Sequence, residues 1–196
     1  GQAYSLRALC YFHLIQFYQQ TYIGHEQAPG VPLYITPTTS STPGNPRGTV
    51  EEVYARINKD IERGISLLKD AEEQGVTQIH KSHIDYYVAN GIKSRIALVQ
   101  NRWKDALDAA QIALEKPDLK LAGTSDLTKG FNQLGMVSVL WGAEIQKSDQ
   151  IGAYASFFGH MDATAGMHGS YDRKCISAWL YKQMGLQDIR RISWWK

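Results

Sequence analysis

Aromatic residues alternate with small and polar ones between positions 154 and 171, where they could form a surface for sugar rings. Tyr154 and Tyr171 bracket this stretch, and His160 and Asp162 lie between them. The C–H face of a pyranose packs on an aromatic ring while polar neighbours bond to its hydroxyl groups. We therefore predict that Tyr154, His160, Asp162 and Tyr171 are ligand-binding residues.

The same rings could instead belong to a hydrophobic core. Phenylalanine is among the residue types most often buried, whereas tyrosine is intermediate. We expect Phe157 and Phe158 to lie in the core, and the two tyrosines are open to either role. Trp141, in a short apolar run, and Trp194 and Trp195 are also expected to pack against other residues.

Other catalytic or metal-binding patterns are incomplete. His80 and His83 are three residues apart, and His160 and His168 share a loop with Asp162. Neither group has a full ligand set, and we predict no metal and no cofactor. We find no nucleophile motif and no carboxylate pair that can be placed in a cleft, so we predict that the protein is not an enzyme. A glycoside hydrolase fragment is therefore the least favoured alternative.

The charge and the cysteines also limit the function. Lys and Arg number 21 against 19 Asp and Glu, a net charge of +2, and no block of like charge is present. We therefore predict no nucleic-acid partner. Cys10 and Cys175 are far apart in sequence, and because Cys10 lies among apolar residues we expect both to be buried free thiols.

The first 48 residues predict a helix followed by an arm. Residues Gly1 to Tyr18 are apolar on nearly every helix face, so this helix should need packing partners on both sides. From this we expect the chain to begin inside a domain and to be truncated at both ends. Residues 21–48 hold five of the six prolines and predict an ordered loop or extended arm.

Two helices should follow the arm. Thr49 and Glu52 have the spacing of a capping box, an apolar stripe runs from Val50 to Leu68, and Gly75 is a plausible terminator. Ser82 and Asp85 repeat the box in weaker form ahead of a third helix with apolar residues from Ile84 to Val99.

The next segment predicts a helical hairpin. A short link, residues 100–102, joins the third helix to a fourth over residues 103–114, and Pro117 ends the pair. The alanine spacing approximates a tetratricopeptide repeat. Nine of the 17 glycines follow Asp118, where helical periodicity mostly disappears, although one helix is predicted near Cys175 to Met184. We predict a mainly α fold of tetratricopeptide-like helical hairpins, with a long, irregular, loop-rich C-terminal portion.

Several short strings, in chain order, resemble the SusD/RagB-like nutrient-binding proteins of the bacterial outer membrane. The strings are Gln2-Ala3-Tyr4, Leu6-Arg7-Ala8, Tyr11-Phe12, Gly30-Val31-Pro32-Leu33, residues 47–54 (RGTVEEVY), Ala97 with residues 103–106 (WKDA), Phe131-Asn132, Trp141-Gly142, residues 154–158 (YASFF) and Asp188-Ile189-Arg190. Each string alone is weak, but their common order along nearly the whole chain makes the resemblance strong.

This resemblance implies part of a single SusD-like domain, with residues 1–117 as the helical repeat portion and 118–196 as the loop-rich ligand-binding portion. It also implies a lipid-anchored protein of the cell outer membrane that faces the exterior, with the anchor segment absent from this chain. Such a protein captures glycans or peptides without transforming them and passes them to a TonB-dependent transporter of the SusC type. Ligand residues of the family lie in variable loops, so no binding residue is transferred by position.

A second function class remains open from the residues themselves. A helical-repeat adaptor would grip a protein segment on its concave face, and the helical hairpin alone would suffice for that role.

Overall fold

The computed structural model describes residues 1–127, 133–144 and 175–193. The described elements are α1 (Gln2–Tyr18), β1 (Pro29–Pro32), β2 (Arg47–Thr49), α2 (Val50–Glu73), α3 (Tyr86–Val99), α4 (Trp103–Leu114), α5 (Thr124–Leu127), α6 (Ala178–Gln183) and α7 (Ile189–Ser193). The predicted mainly α, tetratricopeptide-like class is confirmed. The chain forms two compact units, residues 1–121 with 134–143 and residues 122–133 with 144–196. The predicted boundary at residue 117 within a single domain stays a prediction.

Helix α2 begins and ends as its sequence predicts. The Thr49 hydroxyl accepts a hydrogen bond from the Glu52 N–H at 3.1 Å, and the Glu52 carboxylate accepts one from the Thr49 N–H at 2.7 Å. At the other end Gly75 has φ +80°, and its N–H donates to the Glu72 carbonyl. The Val76 N–H donates to the Ala71 carbonyl, which completes a Schellman motif. Both helix ends therefore have local partners.

Helix α3 begins later than predicted. Its N-cap is Asp85, whose carboxylate accepts a hydrogen bond from the Val88 N–H at 2.8 Å. The assignment of Ser82 as the cap was wrong, because Ser82 lies in the preceding loop with its hydroxyl 2.8 Å from His80 Nδ1. The Asp85 carboxylate also pairs with Lys116.

Helices α3 and α4 form the predicted antiparallel hairpin. Asn101, in the link, takes the left-handed conformation with φ 55°. Small residues let the two backbones approach, and the Ser94 hydroxyl donates to the Ala106 carbonyl at 2.8 Å. The buried side of α4 consists of alanines, while the bulky Trp103 and Leu107 are exposed.

Helix α1 buries only one of its apolar faces. Ala8, Phe12 and Ile15 are at most 2% exposed and pack in the same core as α2 and α3. Leu6 and Leu14 remain more than 40% exposed, and Cys10 is exposed as well. The prediction that both thiols are buried was wrong, because Cys10 and Cys175 are both exposed. A helix that is apolar all round does not reveal from its sequence which side faces the core.

The segment between α1 and α2 is ordered, as predicted. Strands β1 and β2 pair antiparallel, with Pro29 opposite Thr49 and Pro32 opposite Arg47, and an irregularity between these two pairs. This two-stranded ribbon returns the chain to the start of α2. It also holds the proline-rich arm against α1.

A buried carboxylate joins α1 to α2. Asp60 is 1% exposed and accepts hydrogen bonds from Arg7 at 2.7 and 2.8 Å and from Arg56 at 3.0 and 2.6 Å. Burial raises the pKa of Asp60, but the hydrogen bonds from Arg7 and Arg56 outweigh this effect and hold the pKa below its ordinary value of 3.8. Arg7 also donates to the Ile35 carbonyl at 3.0 Å. These contacts are called the Asp60 network below.

The second unit contains the short helices α5, α6 and α7. Helix α6 matches the helix predicted near Cys175 to Met184 and ends just before Gly185. The Arg191 guanidinium lies 4.6 Å from the Tyr181 ring centroid and donates to the Met184 carbonyl at 2.8 Å. Among the helices that the structure describes, none combines the length and apolar character needed to cross a bilayer.

Replacing Asp60 by Asn tests the Asp60 network. Two guanidinium groups would then face a neutral amide, and we expect the free energy of unfolding of the full-length protein at pH 7 to fall by about 3 kcal/mol in urea titrations. The matched control is Asp108→Asn, which breaks an exposed pair with Lys104 and should change stability by about 0.5 kcal/mol or less. Equal losses in the two variants would contradict the assignment.

The wild type and Asp60→Asn should also differ in how their stability responds to acid. Because the folded-state pKa of Asp60 is lowered, its contribution is fully present above its ordinary pKa of 3.8 and is lost as the pH falls through the folded value. The stability difference between the wild type and Asp60→Asn should therefore shrink below about pH 4.

Candidate functional site

A groove of about 620 Å³ runs between α1 and the segment that follows it. Its walls include Cys10, Leu14 and Tyr18 on α1 and Val31, Pro32 and Tyr34 on the opposite side. Every one of these residues lies in the first compact unit. This cavity is called the α1 groove below.

The wall opposite α1 is held by one phenol. The Tyr11 hydroxyl donates to the Tyr34 carbonyl at 3.0 Å and accepts from the Tyr34 N–H at 2.6 Å. Tyr11 itself is 7% exposed. Tyr34 in turn accepts, at its own hydroxyl, a hydrogen bond from the Asn45 N–H at 3.0 Å. The arm is therefore fixed at a definite distance from α1.

Two arginines at the α1 groove are already bonded to their own chain. Arg7 belongs to the Asp60 network. Arg47 donates from Nε to the Gly30 carbonyl at 2.6 Å and from Nη2 to the Pro29 carbonyl at 2.8 Å. Both guanidinium groups thus hold the loop in place and have reduced capacity to bind a ligand.

The chemistry of the α1 groove suits an apolar occupant. Its accessible surface is contributed mainly by carbon atoms, and its principal polar groups bond within the protein. A sugar would lose hydrogen bonds from its hydroxyl groups to water without gaining enough new ones. No sequence pattern marks this groove directly, although the spacing of Leu6, Cys10 and Leu14 on α1 could have indicated an apolar face.

The predicted ligand residues cannot be compared with the α1 groove. Tyr154, His160, Asp162 and Tyr171 lie outside the described residues. The same holds for four predicted core residues, Phe157, Phe158, Trp194 and Trp195.

Two tryptophans of the described residues have opposite environments. Trp141 packs against the core, as predicted, and its indole N–H donates to the Ser82 carbonyl at 3.0 Å. Trp179 on α6 is 70% exposed, and no pattern in the sequence marks it. An exposed indole is the kind of surface on which a sugar ring stacks, and Trp179, unlike the exposed Trp103 of α4, lies in the portion predicted to bind the ligand, so it joins the candidate ligand residues.

The histidine pair considered as metal ligands is incomplete. The His80 and His83 ring centroids are 6.4 Å apart, and His80 Nδ1 lies 2.8 Å from the Ser82 hydroxyl. Within residues 1–127, 133–144 and 175–193, no three His, Cys, Asp or Glu side chains form a group that could hold a metal ion. His160 and His168 lie outside these ranges.

A second cluster of titratable groups joins the ends of the hairpin. Asp85 caps α3 and pairs with Lys116, whose ammonium group lies 5.4 Å from the Tyr87 ring centroid. A hydrogen bond to Glu72, together with burial and nearby carboxylates, raises the pKa of Tyr87 to about 12. A phenol with so high a pKa is a poor base or nucleophile, so this cluster has a structural role.

Comparison with known proteins now assigns the family. The profile described as "Starch-binding associating with outer membrane" matches residues 1–98. The chain belongs to the SusD-like family. No curated protein matches it at a significant level.

Solved SusD-like structures share the fold. A SusD-like carbohydrate binding protein from Bacteroides vulgatus is 26% identical, with a TM-score of 0.82 over 97% of this chain and 39% of that one. A SusD superfamily protein from Bacteroides thetaiotaomicron is 22% identical, with a TM-score of 0.65 over 77% of this chain and 32% of that one. A SusD superfamily protein from Bacteroides fragilis is 30% identical, with a TM-score of 0.53 over 65% and 28%. The chain thus spans at most two fifths of these relatives.

Replacing Tyr11 by Phe tests what holds the α1 groove open. The variant leaves the Tyr34 N–H and carbonyl without their shared partner, and we expect a loss of about 1 to 2 kcal/mol in the free energy of unfolding. Tyr18→Phe is the matched control, because Tyr18 is 68% exposed and its hydroxyl should contribute little. A loss in Tyr11→Phe no larger than in Tyr18→Phe would show that the Tyr11 hydroxyl does not hold the arm.

Proposed function

We propose that the protein captures glycans at the outer surface of a bacterial cell and passes them, uncut, to a TonB-dependent transporter of the SusC type. The observation that carries this proposal is the family match over residues 1–98, whose description is starch binding in association with the outer membrane. The similarity to a carbohydrate binding protein from Bacteroides vulgatus over 97% of this chain supports it. Peptides are the alternative ligand.

The helical unit is suited to act as a rigid frame for such capture. The Asp60 network joins α1 to α2, and Arg102 joins α2 to the hairpin by donating to the Asn58 side chain at 2.8 Å. A stiff support limits the conformational entropy that a binding surface loses when the ligand arrives. This matters for glycans, because each sugar ring contributes a modest binding free energy.

We place the ligand contacts in the loop-rich portion. Tyr154 and Tyr171 would supply ring faces for the sugar, and His160 and Asp162 would bond to its hydroxyl groups. The exposed indole of Trp179 is a further ring in the same portion of the sequence. Peptide binding could use the same rings for apolar side chains.

Three of the described carboxyl groups have shifted pKa values. Within the described residues, each carboxyl group with a shifted pKa has it lowered, namely Glu26, Asp60 and Asp188. In Asp188 the hydrogen bonds from Arg190 lower the pKa to about 2. These groups stay ionised at neutral pH and suit structural pairing.

The same family description supports a location at the outer membrane. Association with the outer membrane would hold the protein in the membrane that also contains transporters of the SusC type. We propose a lipid anchor, with the binding surface facing the exterior. The anchor would hold the captured glycan close to the transporter, which raises its local concentration.

Tyrosine substitutions in the full-length protein test the ligand surface. Tyr154→Ala and Tyr171→Ala should each weaken glycan binding by about five- to tenfold in calorimetry, because each removes a stacking face. Tyr154→Phe and Tyr171→Phe keep the ring and should retain most of the affinity. Unchanged binding in both alanine variants, with thermal unfolding also unchanged, would remove these tyrosines from the site.

Co-purification tests the partner. The full-length protein, solubilised from membranes under mild conditions, should bring down an outer-membrane transporter of the SusC type. Recovery of a soluble protein in its place would favour the adaptor alternative. Oligosaccharides incubated with the pure protein should keep their length on chromatography, and shortened products would indicate an enzyme.

A further inference from the structure

The arm between β1 and β2 contains a run of hydroxyl side chains. Six of the seven residues from 36 to 42 are threonine or serine, the seventh is Pro37, and Pro43 follows directly. Every residue from 35 to 47 is exposed. Segments rich in Ser, Thr and Pro are typical carriers of O-linked sugars. Residues 36–42 are called the hydroxyl loop below.

The exposure of the hydroxyl loop follows from its own composition. Between Ile35 and Arg47 the sequence has no Leu, Ile, Val, Met or aromatic residue. Residues 36–46 also lie outside the helices and strands, so their backbone groups need water or other partners. Covering this run with further protein would remove water from its hydroxyl and backbone groups, which is costly unless each group gains a new partner. The loop is therefore suited to remain in water in the full-length protein.

The chain on both sides of the hydroxyl loop is held in place. On one side Arg7 donates a hydrogen bond to the Ile35 carbonyl at 3.0 Å. On the other side the Asn45 N–H donates to the Tyr34 hydroxyl at 3.0 Å, and the Asn45 side chain donates to the Leu33 carbonyl at 2.8 Å. The loop is thus presented at a defined place on the first compact unit, where a modifying enzyme could reach it.

The six hydroxyl residues of the loop divide into two sets. One set bonds within the loop: the Thr42 hydroxyl accepts a hydrogen bond from the Thr39 N–H at 2.7 Å, and the Thr39 and Ser41 hydroxyls lie 3.0 Å apart. The hydroxyl groups of the other set have no hydrogen-bond partner among the residues that the structure describes; this set consists of Thr36, Thr38 and Ser40. The second set is therefore the more available for a reaction.

An uncharged group suits this loop better than a phosphate. Residues 35–46 include no charged side chain. A phosphate on Ser or Thr orders a segment mainly by pairing with arginine. The two arginines next to the arm are already bonded, Arg7 to Asp60 and Arg47 to the carbonyls of β1. A neutral sugar needs no such partner and stays hydrated.

We propose that one or more of Thr36, Thr38 and Ser40 carry an O-linked sugar in the native protein. A glycosyltransferase would supply the sugar from a nucleotide- or lipid-phosphate donor. The hydroxyl oxygen forms a bond to the anomeric carbon, the bond from that carbon to the phosphate breaks, and the phosphate leaves with the electron pair. A base of the transferase takes the hydroxyl proton. The inference rests on the proposed function only for the location at the cell surface, and here the sugar is attached to the protein rather than captured by it.

Mass spectrometry of the full-length protein, purified from the cells that naturally make it, tests this inference. Cleavage after Lys and Arg yields one peptide, residues 8–47, that contains the whole hydroxyl loop. The reference is the same peptide from recombinant protein made in a cytoplasm without the transferase. We expect the native peptide to be heavier by a whole number of sugar residues, with fragmentation placing the addition within residues 36–42. An unmodified native peptide, or a phosphate in place of the sugar, would overturn the inference.

Two alanine variants, made in the native cells, locate the attachment. The first replaces Thr36, Thr38 and Ser40 together and should lose the added mass. The matched control replaces the other three hydroxyl residues of the loop and should keep it. All six residues are exposed and lie outside the helices and strands, so both variants should fold. A sugar that persists in the first variant would overturn the assignment.

Glycan binding measured on the same preparations separates this inference from the proposed function. A native protein that binds oligosaccharide in calorimetry but has an unmodified peptide 8–47 would overturn the attachment and leave glycan capture intact. A modified peptide in a protein that binds no oligosaccharide would support the attachment and contradict glycan capture.

Discussion

The buried carboxylate of Asp60 fixes how the first helices of the described structure pack. Asp60, on α2, accepts hydrogen bonds from two arginines, one on its own helix and one on α1. Arg7 adds a bond to the Ile35 carbonyl, so the same network also attaches the arm. Two helices and a long loop thus meet at a site where an unpaired charge would be costly. Any other packing of α1 would have to break these bonds.

The Asp60 network contributes specificity more than net stability. A buried ion pair roughly balances its desolvation cost, so apolar residues could replace it with little loss. Helix α1, however, is apolar on nearly every side, and hydrophobic burial alone would allow several rotations about its axis. The bond from Arg7 to Asp60 selects one rotation. That choice buries Ala8, Phe12 and Ile15 and leaves the opposite stripe exposed.

Elements set by local patterns could be predicted from the sequence, whereas those set by long-range contacts could not. The bounds of helix α2 were predictable because its capping residues, its apolar stripe and its terminal glycine all indicate the same helix. The start of α3 was misplaced because two residues fit a cap, and the structure shows that Asp85 is the one whose side chain accepts a first-turn N–H. The exposure of Cys10 depends on the contact between Arg7 and Asp60, which lie 53 residues apart in sequence, and a local pattern does not contain such a contact. The α1 groove was missed for a similar reason. One of its walls is formed by the arm, which lies opposite α1 only in the folded chain.

The chemistry of the described groove bears on where a glycan could bind. Sugars need rings for their C–H faces and free polar groups for their hydroxyls, whereas the α1 groove has rings but bonds its principal polar groups internally. A surface that fixes the arm so firmly is therefore poorly suited to a polar ligand. The loop-rich portion, where aromatic residues alternate with His, Asp and Ser, has the side chains a glycan requires. Structural packing and ligand capture would then use different parts of the chain, and changes in ligand specificity could occur without loss of the helical frame.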